Sequence, residues 1–151
     1  MTRVALGPLA IAFTLLVAAC ASGPPLPERA SSPRYRVGQV WRYQTRPGEE
    51  ASRVIVGRIE KIEGIGPVVH VKLTGLRLRG PQGVATVMFH APVAEPQLSA
   101  SVTELTDERG DLEGFAEGYT MWLSAYRGGK AGVFTLPLAG VVDSMEEALG
   151  R

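Results

Sequence analysis

The chain has 151 residues, 16 Lys and Arg against 15 Asp and Glu, and a formal net charge of +1. A near-neutral chain without a clustered basic surface argues against nucleic acid as a partner, and the length suits one domain rather than two. The only cysteine, Cys20, rules out an internal disulfide, and with it thiolate zinc sites and Fe–S clusters in the rest of the chain.

Thr2 and Arg3 form a short basic start, and Val4 to Val17 form an apolar run interrupted by Gly7 and Pro8. The run is shorter than the about 20 residues that a helix needs to cross a bilayer. A basic start, an apolar stretch and small residues before a cut make a secretory signal. Leu16, Val17, Ala18 and Ala19 directly before Cys20 resemble the lipobox of bacterial lipoproteins. The resemblance implies cleavage before Cys20 and lipid on its sulfur and its new amino group. Two alternatives are an ordinary signal peptide with an incidental cysteine and an uncleaved anchor. Ala21 and Ser22 follow, with no aspartate beside the cysteine. By resemblance to Gram-negative lipoproteins this favours the outer membrane, facing the periplasm.

Without residues 1–19 the chain has as many acidic as basic side chains. They are unevenly spread, basic side chains dominating residues 20–100 and acidic ones residues 101–151. Either the two halves cancel across one fold or they form a two-sided surface that orients a partner. Residues 20–34 hold Gly23, Pro24, Pro25, Pro27 and Pro33 and read as a semi-extended tether.

The domain, residues 35–151, starts at Tyr35. Val40, Trp41, Tyr43 and Thr45 mark a strand, and Pro47 and Gly48 a turn with Glu49 and Glu50 exposed at its tip. A second strand returns over residues 52–63, with Gly57 as a bulge. Residues 68–76 alternate, Val69, Val71 and Leu73 on one face and His70, Lys72 and Thr74 on the other. After a turn at Gly80, Pro81 and Gly83, residues 85–91 also alternate, with Val87 and Phe89 set against Thr86, Met88 and His90. Four strands joined by short turns predict an antiparallel meander.

Pro96 suits the first turn of a short helix with Leu98, Val102 and Leu105 along one side, although Ser101 to Leu105 also alternates. Phe115, Tyr119, Trp122 and Tyr126 form one stripe of a helix, stopped by Gly128 and Gly129. The stripe reads either as the face that covers the sheet or as a peptide-binding groove. Residues 133–138 suggest a fifth strand, ended by Pro137. Asp143 or Ser144 can cap a last helix. The expected class is α+β, a four- to five-stranded antiparallel meander with one face covered by a C-terminal helix.

The Gly38-x-x-Trp41-x-Tyr43 start, the Thr45-Arg46-Pro47-Gly48-Glu49 stretch and the Gly132-x-Phe134-Thr135 segment resemble small uncharacterised proteobacterial proteins, a resemblance that carries no activity. Arg46, Glu49, Glu50 and Arg53 form a mixed-charge turn, either a solvated loop or a contact site for a partner. Motifs for serine or zinc hydrolysis, phosphate cradling and dinucleotide binding are absent from the sequence, and no cofactor is implied. Gly114 and Gly118 have the spacing of a membrane-helix dimer motif but lie outside any apolar span.

His70 and His90, the only histidines, are expected on the polar faces of adjacent strands. Pairing centred on Gly80 sets His70 opposite His90, Val71 opposite Phe89 and Leu73 opposite Val87. Two such imidazoles are weak metal candidates, since zinc needs a third protein ligand; the plainer reading is two solvated surface side chains. These features lead to a membrane-anchored, non-enzymatic binding or assembly module of the cell envelope, of the kind that serves as an inhibitor or accessory subunit to an envelope protein. The alternative is a small envelope hydrolase or metal-dependent enzyme built on His70 and His90.

Overall fold

A computed structural model describes residues 23–150; the expected signal segment and lipobox, with Cys20, lie outside the described residues. Its elements are β1 (Glu28–Arg29), β2 (Gln39–Tyr43), β3 (Arg53–Ile62), β4 (Gly66–Thr74), β5 (Leu78–Gly80), β6 (Gly83–Ala85), β7 (Met88–Ala94), α1 (Glu95–Ser101), β8 (Val102–Arg109), α2 (Phe115–Arg127) and α3 (Leu138–Leu149). The main sheet runs β7-β4-β3-β2-β8, with β1 beside the far half of β3. All its strand pairs are antiparallel. The class is α+β, with the expected meander at its centre.

Both faces of the sheet are covered. On one, Val54, Val56, Ile59, Val69, Val71, Leu73, Met88 and Val93 pack with Leu98 of α1 and Leu138, Val141 and Val142 of α3. On the other lies α2, whose Trp122 and Tyr126 pack on Ile62 and Val68. The aromatic stripe therefore covers a sheet face, as amphipathic spacing requires. Because this second face is buried too, Lys72 keeps only 3% of its surface exposed. It donates to the Glu113 carbonyl at 2.8 Å.

Two bulges set which side chains face α2. In β3 the ladder slips between Val56 and Arg58, at Gly57. Val56 and Ile59 thus share the core face, while Arg58, Glu60 and Ile62 turn toward α2. A Cβ on Gly57 would lie 2.3 Å from the Phe115 ring, so only glycine admits the first turn of α2. In β7 three residue steps from Met88 to Ala91 face two on β4, from Leu73 to Val71. This extra residue puts Met88 in the core and leaves Phe89 exposed, which reverses the expected alternation of residues 85–91. Unbulged pairing cannot put Met88 and Ala91 on one face.

Several expectations are corrected. The turn at Gly80 to Gly83 closes a separate two-stranded hairpin, β5 with β6, and does not join β4 directly to β7. The register sets His70 opposite Pro92, not His90, and Val71 opposite Ala91, with Met88 in place of Val87 opposite Leu73. The first short helix stops at Ser101; Val102 and Leu105 belong to β8. Residues 133–138 form no fifth strand: Phe134 makes a single parallel bridge to Val93, and the chain turns at Pro137 into α3. That helix starts at Leu138, whose N–H donates to Ser101 Oγ at 2.9 Å. Asp143 and Ser144 sit inside it and cap nothing. The tether is partly docked, since β1 pairs with β3 and the Tyr126 hydroxyl donates to the Pro25 carbonyl at 2.9 Å.

The opposite charges of the two halves do meet. Arg42 pairs with Glu104, Arg53 with Glu108, Lys72 with Asp111, and Arg46 with Asp143 and Glu146.

Gly57→Ala is expected to destabilise the fold by about 1–3 kcal/mol through overpacking against Phe115. Adding Phe115→Leu should recover part of that loss. Urea unfolding of the two single variants and the double variant measures the coupling; simple additivity would place the bulge and the ring out of contact.

Candidate functional site

Glu60 is fully buried at the centre of the face beneath α2. Its Oε1 accepts from the Arg58 guanidinium and, at 2.9 Å, from the Tyr119 hydroxyl. Its Oε2 lies 3.0 Å from His70 Nε2, a close polar contact without hydrogen-bond geometry, and neither of these two atoms has a hydrogen-bond partner among the described residues. Arg58 also stacks on Tyr119, its guanidinium carbon 4.6 Å from the ring centre. Burial pushes the Glu60 carboxyl upward, but the close His70 ring nitrogen and the hydrogen bonds from Arg58 and Tyr119 outweigh it and hold the pKa at about 2. The carboxylate is ionised at neutral pH.

The charge continues into an imidazole chain. His70 Nδ1 and His90 Nε2 are 2.9 Å apart, with the rings stacked at 5.2 Å. With Glu60 ionised, His70 keeps its proton on Nε2 and presents a lone pair on Nδ1, to which His90 donates from Nε2. Burial lowers the pKa of both rings, that of His90 to about 3, with the neighbouring His70 adding to the effect. Both are neutral near pH 7. Trp122 lies edge-on to His70 at 4.8 Å, and Tyr119 at 5.1 Å.

The two histidines are thus adjacent, though not through the expected register. His90 is two residues from Pro92, the direct partner of His70, which makes it a diagonal neighbour. Nor are they solvated surface side chains: His70 has no exposed surface and His90 is half-buried. Gly118 permits this arrangement, because a Cβ there would lie 2.8 Å from the His90 Cβ. A Cβ on Gly114 would strike the Phe89 ring at 2.5 Å. The small-residue spacing of these two glycines seats α2 on the β7 bulge. Glu60 and Arg58 had no visible role in the sequence, and Tyr119 stood out only as part of the aromatic stripe; a lone carboxylate two residues past an arginine in a strand was the only further signal.

His90 ends the chain at the wall of a cleft of about 560 Å³ between β7, the β5–β6 hairpin, α2 and α3, a volume in the range of small-ligand sites. Val87, Phe89, Met121, Trp122, Phe134 and Met145 are among its lining, and His90 is its only ionisable residue. No serine, threonine, cysteine or carboxylate lines it, so the wall offers no nucleophile for acyl transfer. The facing nitrogens of the two imidazoles engage each other, and Glu60 meets His70 from its other side. The three groups form a line and do not converge on a point, and among the described residues no group of three or more His, Cys, Asp and Glu is placed to hold a metal.

The Pro47 turn corrects another expectation. Glu49 is not exposed at its tip but only 3% accessible. Its Oε1 and Oε2 accept from Arg46 at 2.6 and 3.0 Å, and its Oε1 also accepts from the Arg77 N–H at 2.7 Å. The Arg46 hydrogen bonds, foremost, keep its pKa low. Arg46 reaches Asp143 and Glu146 on α3, and Arg53 pairs with Glu108. Glu50 is exposed and accepts from the Gly48 N–H. A polar recess of about 220 Å³ lies over this cluster. The turn therefore clips the sheet to α3.

No family model, no curated protein and no solved structure matches the chain.

Stability is expected to fall in acid, in two stages. The His90 pKa lies below the usual 6.5, so the unfolded chain takes up its proton first, and stability is lost as pH falls from about 6.5 toward about 3. The Glu60 pKa lies below 4.5, so its contribution is present above about pH 4.5 and is lost toward about pH 2. Urea unfolding across this range checks both. His90→Asn should make the decline between pH 6.5 and 4.5 shallower; an unchanged slope would mean that His90 titrates normally.

Proposed function

We propose that the chain is a lipid-anchored protein of the cell envelope, held through Cys20 at the outer membrane, and that its domain is a non-enzymatic binding module. Its binding face is the cleft beside His90, which takes an apolar side chain of an envelope partner protein. One observation carries this reading: the cleft is apolar except for a neutral histidine, and large apolar side chains stand exposed at it. Phe89 is 51% exposed and Met121 69%, more than packing within this domain requires. An inhibitor or accessory subunit of an envelope protein fits such a face.

The charged turn supports this role less well than the cleft does. Arg46 and Glu49 are matched inside the fold, which leaves Glu50 as the most accessible acidic group of the turn for a partner. The enzymatic alternative, a hydrolase using His70 and His90, has one observation in its favour, the carboxylate–imidazole–imidazole line. A base whose pKa is about 3 accepts protons poorly at neutral pH. That favours binding over catalysis. Among the described residues no helix is long and apolar enough to cross a membrane; the anchor in this reading is the lipid on Cys20.

Two experiments test the reading. Cys20→Ser should abolish incorporation of a fatty-acid analogue and leave the precursor uncut; unchanged labelling removes the lipid anchor. A photo-reactive residue at position 121 should crosslink a discrete partner in intact cells, and Met121→Glu should abolish that partner's co-purification while changing stability by no more than about 0.5 kcal/mol. Crosslinks from position 50 but none from position 121 would move the binding face to the Pro47 turn.

A further inference from the structure

One end of the domain gathers features that no role described above uses. The β3–β4 turn, the C-terminal end of α2 and the N-terminal segment meet there. Ile62 at the end of β3 and Val68 near the start of β4 pack on Trp122 and Tyr126, and Tyr126 holds Pro25. Leu26 and Ile65 line a common groove at this end. They are 58% and 44% exposed, although each belongs to a segment fixed to the fold. Lys61, Arg127 and Lys130 are exposed nearby, with Glu28 and Glu63 as the opposing acids.

The chain enters the fold at the same end. A Cβ on Gly23 would lie 3.9 Å from the Arg127 carbonyl oxygen, and Pro25 is bonded to Tyr126. Five residue steps separate Cys20 from Pro25, and even fully extended they reach no more than about 18 Å. A lipid on Cys20 would therefore hold this end of the domain, and no other, within one short segment of the bilayer. Apolar side chains exposed beside cations on such a surface suit the boundary between headgroups and acyl chains.

We propose that this end of the domain, through Leu26 and Ile65, rests on the surface of the bilayer that anchors Cys20. The proposal rests on the lipid-anchor reading. The domain is then oriented by three contacts, the lipid and two side chains, and does not swing on a free tether. The cleft beside His90 is lined from other elements, chiefly β7 and the β5–β6 hairpin, and stays open to the periplasm.

Site-directed fluorescence quenching tests the surface on the full chain. Ile65→Cys, Leu26→Cys and, as comparator, Val84→Cys are each labelled with an environment-sensitive dye. Val84 is 60% exposed in the hairpin that follows the opposite end of β4. Acylated Cys20 leaves only the introduced thiol reactive. The proteins are reconstituted into vesicles of phosphatidylethanolamine and phosphatidylglycerol carrying a shallow spin-labelled lipid. The dyes at positions 26 and 65 should be quenched at least roughly twofold more than the dye at 84. Adding Leu26→Glu to the position-65 variant should remove most of that excess. Equal quenching at all three positions in acylated protein overturns the proposal and leaves the anchor standing. Absence of fatty-acid label on Cys20 overturns the anchor and the proposal together.

Discussion

A carboxylate with no exposed surface must be matched by donors, and the face beneath α2 is arranged around that requirement at Glu60. Leaving such a charge unmatched costs several kcal/mol, whereas a fully hydrogen-bonded one is tolerated. Arg58 comes from the same strand, His70 from the neighbouring strand and Tyr119 from the helix above. The charge thus ties two strands and α2 to one register. It also sets the proton positions along the histidine pair, because an ionised Glu60 selects the Nε2 proton of His70, and His70 in turn selects that of His90.

This arrangement depends on two irregularities of the sheet. Without the bulge at Gly57, Arg58 and Glu60 would continue the core face of Val54 and Val56. Without the bulge in β7, either Met88 or His90 would be on the wrong side. The run of Val and Ile in residues 52–63 and the period-2 pattern of residues 68–76 were therefore enough to find the strands, and Gly57 was legible as a bulge. The same reading of residues 85–91 failed, since an extra residue inside a strand reverses the faces beyond it. The histidine pair survived that error because at His70 the register moved by two residues, an even shift that leaves His90 on the face of His70.

The remaining gaps in the sequence reading have similar causes. The four-three-four aromatic spacing located α2 and its buried stripe, a local pattern that tertiary context did not alter. Glu49 looked like a surface charge because the Arg77 N–H that it accepts from and the α3 carboxylates that hold its partner Arg46 are remote in sequence; Glu60 gave no sign, since Tyr119 lies on α2. The exchange of ions between the basic first part and the acidic last part of the chain was visible only as a total. Its geometry, above all Arg46 reaching α3, belongs to the fold.

The proposed function draws on the same chemistry. A histidine kept neutral by burial and by its neighbour is a hydrogen-bonding group in an apolar wall, a wall that carries no nucleophile. Such a cleft suits the binding role proposed for the domain, and the proposed attachment to the envelope would lie at the N-terminal end of the chain.

The tautomers of the two imidazoles test the central claim most directly, and nitrogen NMR of the full-length protein with labelled histidine reads them. At pH 7 the account predicts two neutral rings, each protonated at Nε2, and at pH 5 a His90 ring that is still neutral and takes up its second proton only near pH 3. A His90 ring that becomes doubly protonated near its ordinary value of 6.5, or a His70 ring protonated at Nδ1 alone, would contradict the role given to Glu60.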